Sequence, residues 1–184
     1  WSVFFGYGGV GYNYRSDSLA VRLVRGGQSL ALLFGITRPT SDYVDNGNGT
    51  VTHTPTNLTW KRCPELQTWT GSTCSGTAKK FTFDQATALT GTTTFAGQSD
   101  WRLPTEDELL SLVDYSTYGP AINSSIFPAT LGSYFWSGSP FANDSSYAWI
   151  VKFDYGYADY YYGIRSDSNA VRLVRGGQSF GSLL

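Results

Sequence analysis

Methionine is absent from this chain, histidine occurs once and cysteine twice. His53 alone supplies no nucleophile–base constellation, and no Gly-x-Ser-x-Gly elbow accompanies it. We therefore expect a non-enzyme. One histidine beside two cysteines also falls short of a zinc ligand set, so no metal and no cofactor are expected. Charged residues are sparse, at 15% of the chain, and the 13 Lys and Arg are scattered among 14 Asp and Glu. Recognition of nucleic acid through its phosphates needs clustered cations, so no nucleic-acid partner is expected. No apolar stretch reaches the roughly 18 residues of a membrane-crossing helix. The segment SLALLFGI, Ser29 to Ile36, is too short and sits between turn residues, so no transmembrane segment is expected. Trp1 opens in the middle of a pattern with no initiator methionine before it. The chain is read as part of a longer precursor.

What is abundant points elsewhere. Thirteen Tyr, 21 Gly and an aromatic share of 16%, together with many Ser, Thr and Asn, favour a β-rich, loop-rich protein of the secreted or cell-surface type. The length of 184 residues suits one domain with an appendage. Cys63 and Cys74 flank a loop rich in Gly, Ser and Thr. An even cysteine count in such a chain predicts a disulfide between them.

A repeat organises the chain. RSDSLAVRLVRGGQS begins at Arg15 and RSDSNAVRLVRGGQS at Arg165, differing only at Leu19 and Asn169. Upstream, WSVFFGYG from Trp1 aligns with WIVKFDYG from Trp149. Between these matches the copies diverge in sequence and length. Residues 1–30 thus read as the terminal strands of a preceding repeat and 31–41 as a linker. Residues 42–180 read as a complete domain, and 181–184 as a tail.

Within that domain, DYVDNGNGTVTHTPTNLTWKR predicts a hairpin with turn residues at Asn46-Gly47 and Asn48-Gly49. A calcium loop on Asp45, Asn46 and Asn48 is the alternative, but the later Glu of an EF-hand is missing. Thr82 with Gln85 predicts one capped helix, stopped at Gly91, and Thr105 with Glu108 predicts a second. Leu109, Leu112 and Val113 form the apolar stripe of that second helix. Glu106, Asp107 and Glu108 read as capping residues and a solvated first turn rather than as acid–base catalysts. Alternation places Trp149, Val151 and Phe153 on one strand face. After the short aromatic YFWSGS, this strand, YADYYYGI and the mostly apolar strand NAVRLVR read as a three-strand meander joined by polar tips. Arg172, and Arg22 at the equivalent place, are expected to meet a carboxylate or carbonyls inside the fold.

The motifs DNGNGTVTHTPTNLTW, SDWRLPTEDELLSLVDYS, INSSIFP, YFWSGSPFANDSSYAWIVKFDYG and VRLVRGGQ occur in that order. As an ordered set they resemble the C-terminal domain family of the Legionella collagen-like protein, over about residues 42–180. RLPTE and RLVR also resemble pieces of the formylglycine-generating sulfatase-modifying family. The resemblance implies an α+β, C-type-lectin-like fold with a twisted antiparallel sheet, two helices and long loops. It also implies an extracellular binding or adhesion domain, some relatives of which bind sulfated polysaccharides. The chain has no Glu-Pro-Asn, Gln-Pro-Asp or Trp-Asn-Asp motif, which leaves calcium-dependent sugar binding unsupported. Its cysteines lie early, so the sulfatase-modifying activity does not carry over.

Tyr offers rigid contact area at low entropy cost, while Asn, Asp and Ser offer adaptable hydrogen bonds. The polar, Tyr-rich tips are therefore the expected ligand contacts: Asn143, Asp144, Tyr155, Tyr157, Asp159 and Tyr161, with Asn169 where the copies differ. About half of the Tyr should alternate into the core instead. The expected partner is a glycan or a cell-surface protein. The alternative is a structural repeat that self-associates through residues 1–30 into an array or filament, because unpaired strands seek partners.

Overall fold

The computed structural model describes residues 2–4, 9–11 and 37–177. Expectations resting on Trp1, Leu19, Arg22, the Ser29–Ile36 segment or the 181–184 tail lie outside the described residues. β1 (Ser2–Phe4) and β2 (Gly9–Gly11) pair antiparallel. After a 3-10 turn at Thr40–Asp42 come β3 (Tyr43–Asp45), β4 (Thr50–His53) and β5 (Leu58–Lys61). The predicted hairpin is there and is longer than expected, an antiparallel β3–β4–β5 meander. Gly47 and Gly49 hold its first turn at φ +71° and +83°, which glycine adopts without steric cost. Asp45 accepts from the Gly47 N–H and pairs with Arg62 at 2.7 Å. Asn46 and Asn48 bond Thr50 and Thr52. The side chains of the calcium-loop alternative are thus taken up by the turn itself.

β6 (Thr68–Trp69) and β7 (Cys74–Ser75) form a small hairpin tied by the Cys63–Cys74 disulfide, Cα to Cα 5.6 Å. β8 (Lys80–Phe81) then leads into α1 (Phe83–Ala88), and α2 spans Glu106–Leu110. Both predicted capping boxes form, Thr82 with Gln85 and Thr105 with Glu108. Each satisfies N–H groups that a helix start leaves unpaired. α2 stops before its stripe does. Leu112 and Val113 are buried past its end, where Val113 bridges to Ile122.

β9 (Tyr134–Pro140), β10 (Ala148–Lys152) and β11 (Tyr157–Asp159) form an antiparallel meander, in which the expected pairing of β10 with β11 is present but β9, not NAVRLVR, is the third strand. Trp149, Val151 and Phe153 do share a face, packed with Trp60 and Leu58 of β5 and Leu109 of α2 in one core. From the other face Trp136, Ala148 and Ile150 pack on Phe81, Phe83, Trp101 and Leu103 in a second core. Burial on both sides, at about 1.5–3 kcal/mol for each large apolar side chain, makes β9 and β10 the centre of the fold.

The closing segment departs from its reading as a single strand. β12 (Asn169–Ala170) enters between β9 and β8, parallel to β9, while β13 (Val174–Gly176) pairs with β5. The five-stranded sheet therefore runs β11-β10-β9-β12-β8 and the four-stranded sheet β13-β5-β4-β3. The stretch between β12 and β13 crosses beside residues 61–65. There Glu65 N–H donates to the Val171 carbonyl and Lys61 N–H to that of Leu173. Arg172, 0% exposed, lies at the crossing. It donates to the carbonyls of Lys61 and Arg62 and to Thr130, and lies over the Phe127 ring. The partners are carbonyls, one of the two kinds expected. A buried guanidinium needs acceptors from several directions, and a crossing between two sheets supplies them where a regular ladder does not.

The architecture is α+β, strand-dominated, with two short helices among the described residues. No helix among these residues is long and apolar enough to cross a membrane.

Candidate functional site

The residues expected to contact ligand do not form one cluster. Asn143 and Asp144 are exposed in the β9–β10 turn, and Tyr155 lies in the β10–β11 turn at the opposite end of β10. Five residues of strand, about 16 Å at 3.3 Å per residue, separate those ends. Asp144 accepts from Ser146 N–H at 2.8 Å and Asp159 from Tyr161 N–H at 2.7 Å. Both carboxylates thus also hold their own turns. Asn169 is only 5% exposed, in β12 opposite Phe81, so its side chain is turned into the fold.

Tyr157 and Asp159 flank the buried Ala158 on β11. They share a face with the residues opposite them, Lys152 and Ile150. Lys152 in turn lies opposite Tyr134 of β9, which makes a cross-strand row Tyr134–Lys152–Tyr157. The Lys152 ammonium stands 5.3 Å from the Tyr134 ring centre and 5.2 Å from that of Tyr155. Asp154 approaches it at 3.5 Å. The loop after β11 completes the surface. Tyr162 stacks on Tyr134 at 5.5 Å, and Tyr161 meets Tyr162 edge-on at 5.3 Å. Tyr155, Tyr161 and Tyr162 are 50%, 64% and 51% exposed. Their neighbour Tyr160 goes the other way. It stacks on Phe141 at 3.9 Å and packs against Trp149.

The structure therefore brings Tyr155, Tyr157 and Tyr161 together and adds Tyr134, Lys152 and Tyr162, which sequence reasoning missed. A signal for Lys152 existed. It is the only charged residue of β10, and alternation puts it opposite the buried Val151 and Phe153. Its aromatic neighbours were hidden because they depend on register with β9 and on how the later loop folds back. Chemically, the surface offers ring faces around a cation with three donors. Stacking on an apolar sugar face and donation to a hydroxyl, carboxylate or sulfate are both within its means.

His53 has no part in this surface. It is 2% exposed, stacked on Tyr43 and bonded to Thr56. Burial, then the charge of Arg38, holds it below the usual imidazole range, so it stays neutral at pH 7. Of the three carboxylates opening α2, Glu108 completes its capping box and pairs with Arg102 at 2.7 Å. Asp107 is exposed, as a solvated first turn requires, but Glu106 is half-buried. Burial, and then repulsion from Asp107, pushes the Glu106 carboxyl up to about 7. The folded state thus holds this proton more tightly than the unfolded chain, whose value is near 4.5. The associated stability is fully present below pH 4.5 and is lost as pH rises through about 7. After discounting for solvent screening, the loss is on the order of 1–2 kcal/mol. Glu106→Gln is expected to flatten this part of the pH profile and to raise the urea midpoint at pH 8. An unchanged slope between pH 4.5 and 7 refutes the assignment.

No curated protein and no solved structure matches the chain. One family model does, that of the Lcl C-terminal domain, over residues 49–175. That span contains the disulfide, both capping boxes, the Lys152 surface and the Arg172 crossing. With well over half of its length matched, the chain belongs to the Lcl C-terminal domain family.

Proposed function

We propose that this is a secreted or cell-surface recognition and adhesion module, non-enzymatic and C-type-lectin-like. It binds glycan through the surface formed by Tyr134, Lys152, Tyr155, Tyr157, Tyr161 and Tyr162. The observation that carries this reading is Lys152, whose ammonium lies 5.3 Å from the Tyr134 ring centre and 5.2 Å from that of Tyr155, with the exposed Tyr162 stacked on Tyr134 and Tyr161 against Tyr162. A flat aromatic face matches the C–H face of a pyranose, and the ammonium gives an anionic sugar its charge partner. The disulfide fits an oxidising compartment outside the cytosol. Asn143 and Asp144 lie too far along β10 to share a monosaccharide with Tyr155. They become the second contact point of an extended chain.

The test is titration with heparin, a sulfated polysaccharide, and with an uncharged polysaccharide. Lys152→Ala is expected to weaken heparin binding about tenfold or more, the scale of one lost charge-assisted contact, and Tyr162→Ala, which removes a stacking ring, by up to about tenfold. Tyr162 is exposed and Lys152 half-buried outside the two cores, so the melting temperature should move by no more than about 2–4 °C. Absence of binding to either polysaccharide overturns the glycan reading and leaves a protein ligand. Binding that both variants retain moves the site elsewhere.

A further inference from the structure

The ammonium of Lys152 is already shared with a carboxylate. Asp154 Oδ2 lies 3.5 Å from it, and the two side chains are 34% and 21% exposed for Asp154 and Lys152. A charge-assisted hydrogen bond would be shorter, at about 2.7–2.9 Å, so the contact is a loose ion pair at the surface. The carboxylate nevertheless has a fixed place, because the backbone around it is tied on both sides. Phe153 N–H donates to the Ser133 carbonyl at 3.1 Å, and the Phe153 carbonyl accepts from Ala121 N–H at 2.5 Å. The Asp154 carbonyl accepts from Gly119 N–H, and Gly156 N–H closes the turn on the Lys152 carbonyl, both at 2.9 Å. Two glycines leave room for the side chain. A Cβ on Gly132 would stand 2.9 Å from Asp154 Oδ1, and one on Gly119 3.9 Å from it. Three loop segments therefore meet at one carboxylate, beside the cation of the proposed site.

That placement has a consequence for ligands. A sulfate or carboxylate that reaches the ammonium must share it with Asp154, whose own backbone keeps it from moving away. Two like charges about 5 Å apart in water repel enough to lower affinity roughly threefold to fivefold. An uncharged hydroxyl meets no such repulsion. Without the ammonium, nothing would draw a ligand anion this close to the carboxylate, so the effect depends on Lys152.

We infer that Asp154 is a specificity-determining residue of this surface. As the fixed counter-ion of Lys152, it lowers affinity for anionic sugars and leaves affinity for uncharged sugars unchanged. The role rests on the glycan reading of the surface and adds to it the residue that sets its preference between charged and uncharged saccharides. Asp154 acts through the ammonium it pairs with, as a positioning residue, and the site is a cation restrained by a carboxylate rather than a free positive charge.

The test uses the full chain, with heparin and with dextran, an uncharged polysaccharide. Asp154→Asn removes the charge and keeps the shape that fills the notch between Gly119 and Gly132. At about 0.02 M salt this variant is expected to bind heparin roughly threefold to fivefold more tightly than the wild type. The gain should shrink below about twofold at about 0.5 M salt, where screening acts within a few ångströms. Dextran affinity is expected to be the same for both chains. In a Lys152→Ala background, Asp154→Asn is expected to change heparin affinity by less than about twofold, the coupling of two groups that act together. Heparin binding that is equal or weaker in Asp154→Asn overturns the inference and leaves the glycan reading standing. A gain that ignores salt, a gain that persists without Lys152, or an equal gain for dextran overturns it as well. If neither chain binds either polysaccharide, the glycan reading fails and this inference falls with it.

Discussion

Replacing Arg172 by alanine is expected to lower the free energy of unfolding by about 3–5 kcal/mol, measured by urea denaturation. The side chain is fully buried, so its removal opens a cavity beside Phe127 and Phe135. It also takes the donor from the carbonyls of Lys61 and Arg62, while the Thr130 hydroxyl keeps its bond to the Phe127 carbonyl. Each buried group left unpaired costs about 1–3 kcal/mol. Burial pushes the guanidinium down to about 9, which still leaves it charged at neutral pH. Arg172→Lys keeps the charge but replaces a planar fork by a point donor, and should recover less than half of the loss. A loss below about 1 kcal/mol for the alanine variant would place Arg172 outside the determinants of the fold. The expected size follows from position, because this residue lies where the chain leaves one sheet for the other.

Gly163→Ala should have the second-largest effect, and it should reach function through the backbone. A Cβ there would stand 2.0 Å from the Ala148 carbonyl oxygen and 3.0 Å from that of Tyr160. Neither neighbour can swing aside as a side chain does. The Gly163 carbonyl accepts from Ala148 N–H at 2.9 Å, and its own N–H donates to Tyr160 at 2.8 Å. The substitution must therefore displace the start of β10 or the loop that carries Tyr161 and Tyr162. Overpacking of this kind costs about 1–3 kcal/mol, with more where backbone must shift. A fall in melting temperature of roughly 4–12 °C is expected, together with loss of heparin binding even though Gly163 contributes no side chain. Wild-type stability would show that the loop relaxes freely. Lost stability with intact binding would show that the Tyr161–Tyr162 loop is not part of the site.

These two residues show how unevenly the fold was legible. Local features read correctly. The capping boxes at Thr82 and Thr105 need only residues three apart. The Cys63–Cys74 bond closes a short loop. The face shared by Trp149, Val151 and Phe153 follows from the period of a strand. The split of NAVRLVR into β12 and β13 was not legible, because its apolar pattern suits one continuous strand equally well. What divides it is a partner more than 100 residues earlier, the Lys61–Glu65 stretch. The site shows the same division. Tyr155 and Tyr161 are exposed as expected, whereas Asn169, singled out because the two copies differ there, is buried.

The sequence by itself determined both capped helix starts, the hairpin turn at Asn46–Gly49, the disulfide, one core-facing strand face and the repeat of the closing segment. Each rests on residues close along the chain, or on direct identity between two segments. Only the tertiary structure decided that Lys152 lies beside Tyr134 and Tyr155, that Tyr162 stacks on Tyr134, and that Arg172 is held by carbonyls. The reason is physical. Period-two alternation assigns a side chain to a face, but its neighbours there are set by which strands lie adjacent, and in what register. The parallel insertion of β12 beside β9 and the return of the loop after β11 bring together residues whose separation along the chain carries no local signal.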